Sequence, residues 1–145
     1  MVEVHILDKS YPLCLTVAAL DDINSKCGGL DKIGQFLDGR QPPLMILDGQ
    51  EPADEGTPNM EAMAVNTAWL LAVLIREGEN NRLMRAKLAG EATERRPVPG
   101  AEDLRQLLTV ASALKYRKAV YEAVSESMAK DIEAVYPKNA DAGQE

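Results

Sequence analysis

Apolar and polar positions alternate at the start of the chain. Val2, Val4 and Ile6 are separated by Glu3 and His5, and after a polar break Tyr11, Leu13 and Leu15 are separated by Pro12, Cys14 and Thr16. A period of two marks strands with one buried face, so a β-hairpin is expected over about residues 2–16. Pairing Val2 with Leu15, Val4 with Leu13 and Ile6 with Tyr11 puts all six apolar side chains on one face. Proline has no N–H to give, which favours a four-residue loop, Leu7 to Ser10, that turns Pro12 away from the ladder.

The period then changes to that of a helix. Leu20, Ile23 and Cys27 share one face while Asp21, Asp22 and Ser25 point away, predicting a helix over about 17–27. Thr16 is the expected N-cap, and Gly28 and Gly29 can take the left-handed conformation that ends a helix. Leu30, Ile33 and Leu37 repeat the stripe over about 30–38, closed by Gly39. The hairpin is marginal alone, so its apolar face must rest on helices, most simply on the Leu20/Ile23 stripe.

Residues 62–75 contain only Asn66 and Thr67 as polar positions. A helix apolar on all sides must be covered on most of them, and the expected element, about 60–77 with Thr57 or Asn59 as cap and Glu61 in its first turn, is read as the central helix of a bundle. Trp69 and Val73 project away from the Met63/Leu70/Leu74 stripe, which makes them candidates for a second buried face or a partner contact. Gly78 is expected to break or bend this helix before a shorter one at about 80–89, closed by Gly90. Glu77 and Glu79 then read as charges at a helix end. After a surface loop at 91–100, a stripe of Leu104, Leu107, Leu108, Ala111 and Leu114 continues through Val120, Ala123, Val124, Met128, Ile132 and Val135. This predicts helix over about 101–136, with a break near 109–112 where Ser112 can cap a new start. Pro137 stops it, and 137–145 is a flexible polar tail.

These elements make a mainly α protein with a small N-terminal β-hairpin (α+β), a compact helical bundle with the hairpin packed on one face, in one domain over 1–136. Between the second and third helices the chain turns to Pro, Gly and acid, with Pro42, Pro43, Gly49, Pro52, Gly56 and Pro58, which predicts a loop over 40–59. It holds one apolar island, Leu44-Met45-Ile46-Leu47. The island is read as a segment tucked on the core, a docking strand for a partner or a self-association contact; together with Trp69 and Val73 it forms the set of candidate partner-binding residues.

Composition narrows the function. An apolar fraction of 46% suits a folded core, and a net charge of -7 should repel nucleic-acid phosphates and anionic membranes. The basic cluster Arg82, Arg85, Lys87, Arg95 and Arg96 is interleaved with Glu91 and Glu94 and reads as a solvated face. Cys14 and Cys27 lie in no CxxC, without a histidine nearby, so neither zinc nor a dithiol redox site is indicated and a reduced cytoplasmic pair is expected. No start resembling a secretion signal and no bilayer-spanning apolar run is present, which also points to the cytoplasm.

The motifs of chemistry are missing. The chain has no phosphate-cradling glycine loop, HExxH, Gly-x-Ser-x-Gly or calcium loop. Its lone histidine, His5, is an ordinary surface residue, and Asp21-Asp22 is a solvated acid pair. An aromatic content of 4% leaves few platforms for bases or sugars. No catalytic, cofactor-binding or metal-ligating residue is therefore assigned.

The stretch Tyr11 to Gly39, YPLCLTVAALDDINSKCGGLDKIGQFLDG, followed later by AWLLAVLIREGE, resembles the tail assembly chaperones of tailed bacteriophages and gene-transfer agents. The likeness runs through the hairpin, the Leu15-Thr16-Val17-Ala18-Ala19-Leu20 entry to a glycine-ended helix, and the helical stretch around Leu71, Ile75 and Gly78, about half of the chain. Segment 40–59 departs from the more compact form of that family. The resemblance implies a non-enzymatic phage or prophage protein in the bacterial host cytoplasm. Such a protein binds and solubilises the tape-measure protein and helps recruit the tail-tube protein, with no cofactor and no catalytic residues to carry over. Two other classes remain: a structural tail or head-tail subunit that self-assembles as a homo-oligomer, and, less well matched, a small cytosolic enzyme.

Overall fold

A helix of 29 residues, α3 (Met60–Leu88), runs through the middle of the packing. In the computed structural model, residues 1–39 and 59–135 are described, with 129–135 as backbone alone. The Asn59 side chain caps α3 by accepting from the Ala62 N–H at 2.9 Å, Glu61 meets the positive end of the helix dipole, and Arg85 and Lys87 meet the negative end. Every residue from Leu70 to Ile75 is buried, so the helix read as apolar on all sides is covered all round over that stretch, whereas Val65 before it is exposed. Strand β2 (Lys9–Pro12) and helices α2 (Ile33–Leu37), α4 (Ala101–Leu107), α5 (Val110–Lys115) and α6 (Arg117–Val135) pack against it.

Gly78 does not break this helix. Expected helices at 60–77 and 80–89 are one element, because Gly78 serves tertiary packing rather than termination. It is buried beneath the chain leaving β2, where a Cβ would overlap the Pro12 carbonyl. The backbone of that segment lies directly on the helix, and the Cys14 N–H donates to the Leu74 carbonyl at 3.2 Å. Close backbone approach outweighs the roughly 1 kcal/mol of helix propensity that glycine gives up relative to alanine.

Strands β1 (Glu3–Ile6) and β2 (Lys9–Pro12) form the expected antiparallel hairpin in a different register. Val4 faces Tyr11, Ile6 faces Lys9, and Glu3 faces Pro12, so the turn is the two residues Leu7-Asp8. The four-residue loop is therefore wrong, although its reasoning about Pro12 holds. The Leu13 N–H donates to the Val2 carbonyl at 2.9 Å, which places Glu3 and Pro12 at a non-hydrogen-bonded pair with the missing donor facing outward. The register is shifted by two residues, and a shift of two keeps each side chain on its face. Val4, Ile6 and Leu13 are accordingly buried. Leu7 takes a left-handed φ of 59° in the turn, a conformation for which a leucine gives no sequence signal. The chief helical neighbour of the hairpin is α3, not the Leu20/Ile23 stripe, because Gly78 offers the flat seat. His5 is exposed and paired across the strands with Ser10, its Nδ1 2.6 Å from the hydroxyl. Its backbone carbonyl accepts from the Tyr116 hydroxyl at 2.6 Å.

Helix α1 (Leu20–Cys27) is preceded by a 3-10 turn, Val17–Ala19, and ends at Gly28 with φ 92°, as expected. Thr16 does not cap it. Its hydroxyl donates instead to Glu77 Oε1 at 2.5 Å, a stronger, charge-assisted partner than a backbone N–H. Helix α2 (Ile33–Leu37) is shorter than expected because Leu30–Lys32 is again a 3-10 turn. Asn66 donates to the Phe36 carbonyl, Tyr121 to that of Gly34, and Arg117 to that of Leu37 while pairing with Asp38. Ile23, Ile33 and Leu37 join the core.

The expected final helix is three: α4 (Ala101–Leu107), α5 (Val110–Lys115) and α6 (Arg117–Val135). The first break covers Leu108 and Thr109, at the edge of the expected 109–112, and a second, unexpected one falls at Tyr116; Thr109 rather than Ser112 caps the new start, accepting from the Ser112 N–H at 3.1 Å. The stripe is not buried throughout, on either side of the break. Leu104 and Ala113 are buried, whereas Leu107 and Ala111 are exposed. Val120, Ala123 and Val124 bury the near face of α6 as the pattern required.

Among the described residues one buried group is unmatched: the Thr67 hydroxyl, on a fully buried residue, has no hydrogen-bond partner. A buried hydroxyl without a partner costs about 1–3 kcal/mol of desolvation, and valine has nearly the same shape. Thr67→Val should therefore raise the urea midpoint, by about 1 kcal/mol in stability; a loss of stability would mean that the hydroxyl is satisfied in solution.

Candidate functional site

Trp69 lies at the floor of a groove of about 370 Å³. Four residues of α3 one turn apart, Trp69, Ala72, Val73 and Arg76, form the floor, and Val98 to Ala101, where the loop enters α4, form one wall. The opposite end carries Asp22 of α1, whose carboxylate takes a hydrogen bond from Arg76 Nη2 at 2.9 Å. The Trp69 ring meets Phe36 edge-to-face, centroids 5.6 Å apart at 78°, and Lys26 Nζ stands 6.0 Å from its centroid. Trp69 is half-buried, held on one side by Phe36 and open to the groove on the other. Val73 is only 5% exposed, so it shapes the floor more than it meets solvent.

The structure thus brings together two of the candidate residues, Trp69 and Val73. Leu44, Met45, Ile46 and Leu47 lie outside the described residues. Sequence reasoning missed Ala72, Asp22, Arg76 and the Val98–Ala101 wall as groove residues. Ala72 and Arg76 follow from Trp69 by helical spacing, but the wall comes from a distant loop with no local signal.

Just before that wall the chain is tied to a buried carboxylate. Glu79 is 1% exposed and Glu77 4%, both in mid-helix rather than at a helix end, because the helix continues through Gly78. Glu77 accepts from Thr16, Arg76 and Asn80. Glu79 takes both arms of the Arg82 guanidinium, Nε to Oε1 at 2.9 Å and Nη2 to Oε2 at 2.6 Å. It also takes the Arg96 backbone N–H at 2.6 Å and its Nε at 3.1 Å. The hydrogen bond from Arg82 is the largest influence on its acidity; with the Arg96 bonds it outweighs burial and holds the carboxyl at about 2, below its ordinary 4.5. Arg82 reaches onward to the Thr93 hydroxyl and the Glu94 carbonyl, and Arg95 to Asn80. Arg95 and Arg96 lie on the solvated face as expected, and with Arg82 they also tie the loop to α3.

Chemically the groove offers apolar surface, one aromatic face and one ion pair. It can take an apolar side chain flanked by polar groups, the geometry by which helices and peptides are anchored in a cleft. Burial pushes the Cys27 thiol up to about 11 against the lesser pull of Lys26, which leaves it a poor nucleophile at neutral pH. Among the described residues no group of three or more His, Cys, Asp or Glu could hold a metal ion, and no helix is long and apolar enough to cross a membrane. Compared with known proteins, the chain matches no family model, no curated protein and no solved structure.

Proposed function

We propose that the protein is a non-enzymatic tail assembly chaperone of a phage or prophage, acting in the host cytoplasm on the tape-measure protein and assisting its encasement by tail-tube subunits. The family reading starts from the Leu15–Leu20 entry and the central helix. The observation that supports a binding role is the half-exposed Trp69 on the floor of an apolar groove. A holding chaperone needs apolar surface for its client and enough charge to keep the complex in solution, and a net charge of -7 supplies the second.

Co-expression with the tape-measure protein encoded beside it should raise the soluble yield of that protein and give a complex that co-purifies. Trp69→Ala should weaken the complex about 30-fold, the usual cost of truncating a central aromatic anchor. No gain in solubility and no complex would overturn the reading.

A further inference from the structure

Residues 91–99 join α3 to α4 without regular structure, and the first seven, Glu91 to Pro97, are exposed. The apolar attachment of this segment to the core is through Val98. At its start the Glu91 N–H donates to the Ala86 carbonyl at 2.9 Å, and polar ties further along come from one turn of α3. Glu79 grips the backbone and side chain of Arg96, Arg82 reaches Thr93 and the Glu94 carbonyl, and Asn80 takes Arg95. Arg82 is itself aligned by its two bonds to Glu79, so the carboxylate governs ties at three points of the segment. The segment runs straight on into Val98, Pro99, Gly100 and Ala101, the wall of the Trp69 groove.

We propose that residues 91–99 are a strap latched to α3 by the Glu79 carboxylate, and that unlatching swings Val98 and Pro99 away from the groove and uncovers the Trp69–Val73 face. Glu79 is thereby a positioning residue: it touches nothing in the groove and sets how wide the groove is. In the latched state the groove admits one side chain. Unlatched, it presents a continuous strip of α3 from Trp69 to Arg76, enough for an apolar segment of a client. The meaning of this for function rests on the Trp69 groove being the working surface. The strap itself can be tested in the free protein, so failure to bind a tape-measure protein and failure of the strap to open are separate results.

Two properties of the chain supply the test. Trypsin can cut the strap between Arg95 and Arg96 but not before Pro97, and the single tryptophan of the chain lies in the groove. In Glu79→Gln, cleavage at Arg95–Arg96 under native conditions should rise about tenfold or more, as expected for losing charge-assisted ties that hold a locally opening segment. Cleavage after Lys26 and Arg76, in α1 and α3, should not rise with it, and acrylamide quenching of Trp69 fluorescence should increase about twofold. Arg96→Gln, which keeps the Glu79–Arg82 pair, should shift both readings less and in the same direction. It also carries the test if Glu79→Gln fails to fold. Unchanged strap cleavage, a rise shared equally by all sites, or an opened strap with Trp69 quenching unmoved would each overturn the proposal.

Discussion

Gly78→Ala should destabilise the protein by about 3 kcal/mol, although the same substitution at an exposed helix position gains about 1 kcal/mol. The sign inverts because of what lies above the helix. A Cβ at Gly78 would overlap the Pro12 carbonyl oxygen and stand 2.8 Å from its carbon. These are backbone atoms, so no rotamer change relieves the overlap. Strand β2 and the chain beyond it must lift, stretching the Cys14-to-Leu74 hydrogen bond and drawing Leu13, which is 2% exposed, out of its site. The urea midpoint reads the loss directly. Gly90, with φ 76° and nothing within 4 Å of the place a Cβ would take, is the control: alanine there meets only the left-handed backbone penalty of about 1 kcal/mol. Equal effects at the two glycines would mean that the hairpin does not sit on α3 as described.

The contrast between Gly28 and Gly78 shows what the sequence could and could not reveal. Gly28 follows a helix-period stripe and precedes a second one, so local pattern is enough to assign a left-handed cap, and that is its conformation. Gly78 sits between two glutamates that read as a polar helix end, yet its role is set by Pro12, far away in the chain. Nothing local separates a helix-breaking glycine from one that seats another backbone. Glu77 and Glu79 inherit the same ambiguity. Once the helix runs through, both carboxylates are carried into the interior, where they draw in Thr16, Arg82 and Arg96. The i,i+3 spacing of Glu79 and Arg82 was the one available signal. In the hairpin, the faces were legible because alternation fixes parity, whereas the register depended on a leucine turning left-handed. Trp69 and Val73 were found as positions off the main stripe. Their partner in the groove, the 98–101 wall, follows a loop tied to α3 by Glu79, Asn80 and Arg82, and periodicity carries no information about that.

Acid should remove a stabilising contribution of about 2 kcal/mol that Glu79 makes at neutral pH, the full shift being reduced because its arginine partners are partly solvated. The unfolded carboxyl takes up its proton near the ordinary 4.5, the folded one only near 2. Between those values the unfolded chain binds more protons, so stability rises with pH across that window. The contribution is complete above about 4.5 and is lost as the pH falls toward 2. Urea unfolding of the wild-type protein and Glu79→Gln, compared at intervals from pH 6 downward, separates this carboxyl from the others. The two should differ by about 2 kcal/mol at pH 6 and converge as the pH approaches 2, since glutamine keeps the shape but carries no charge to lose. Parallel curves across the window would show that the Arg82 and Arg96 bonds do not hold the carboxylate in solution. Convergence would establish that the charge on Glu79 holds Arg82 and Arg96 in solution, and with them the loop from which the groove wall is built.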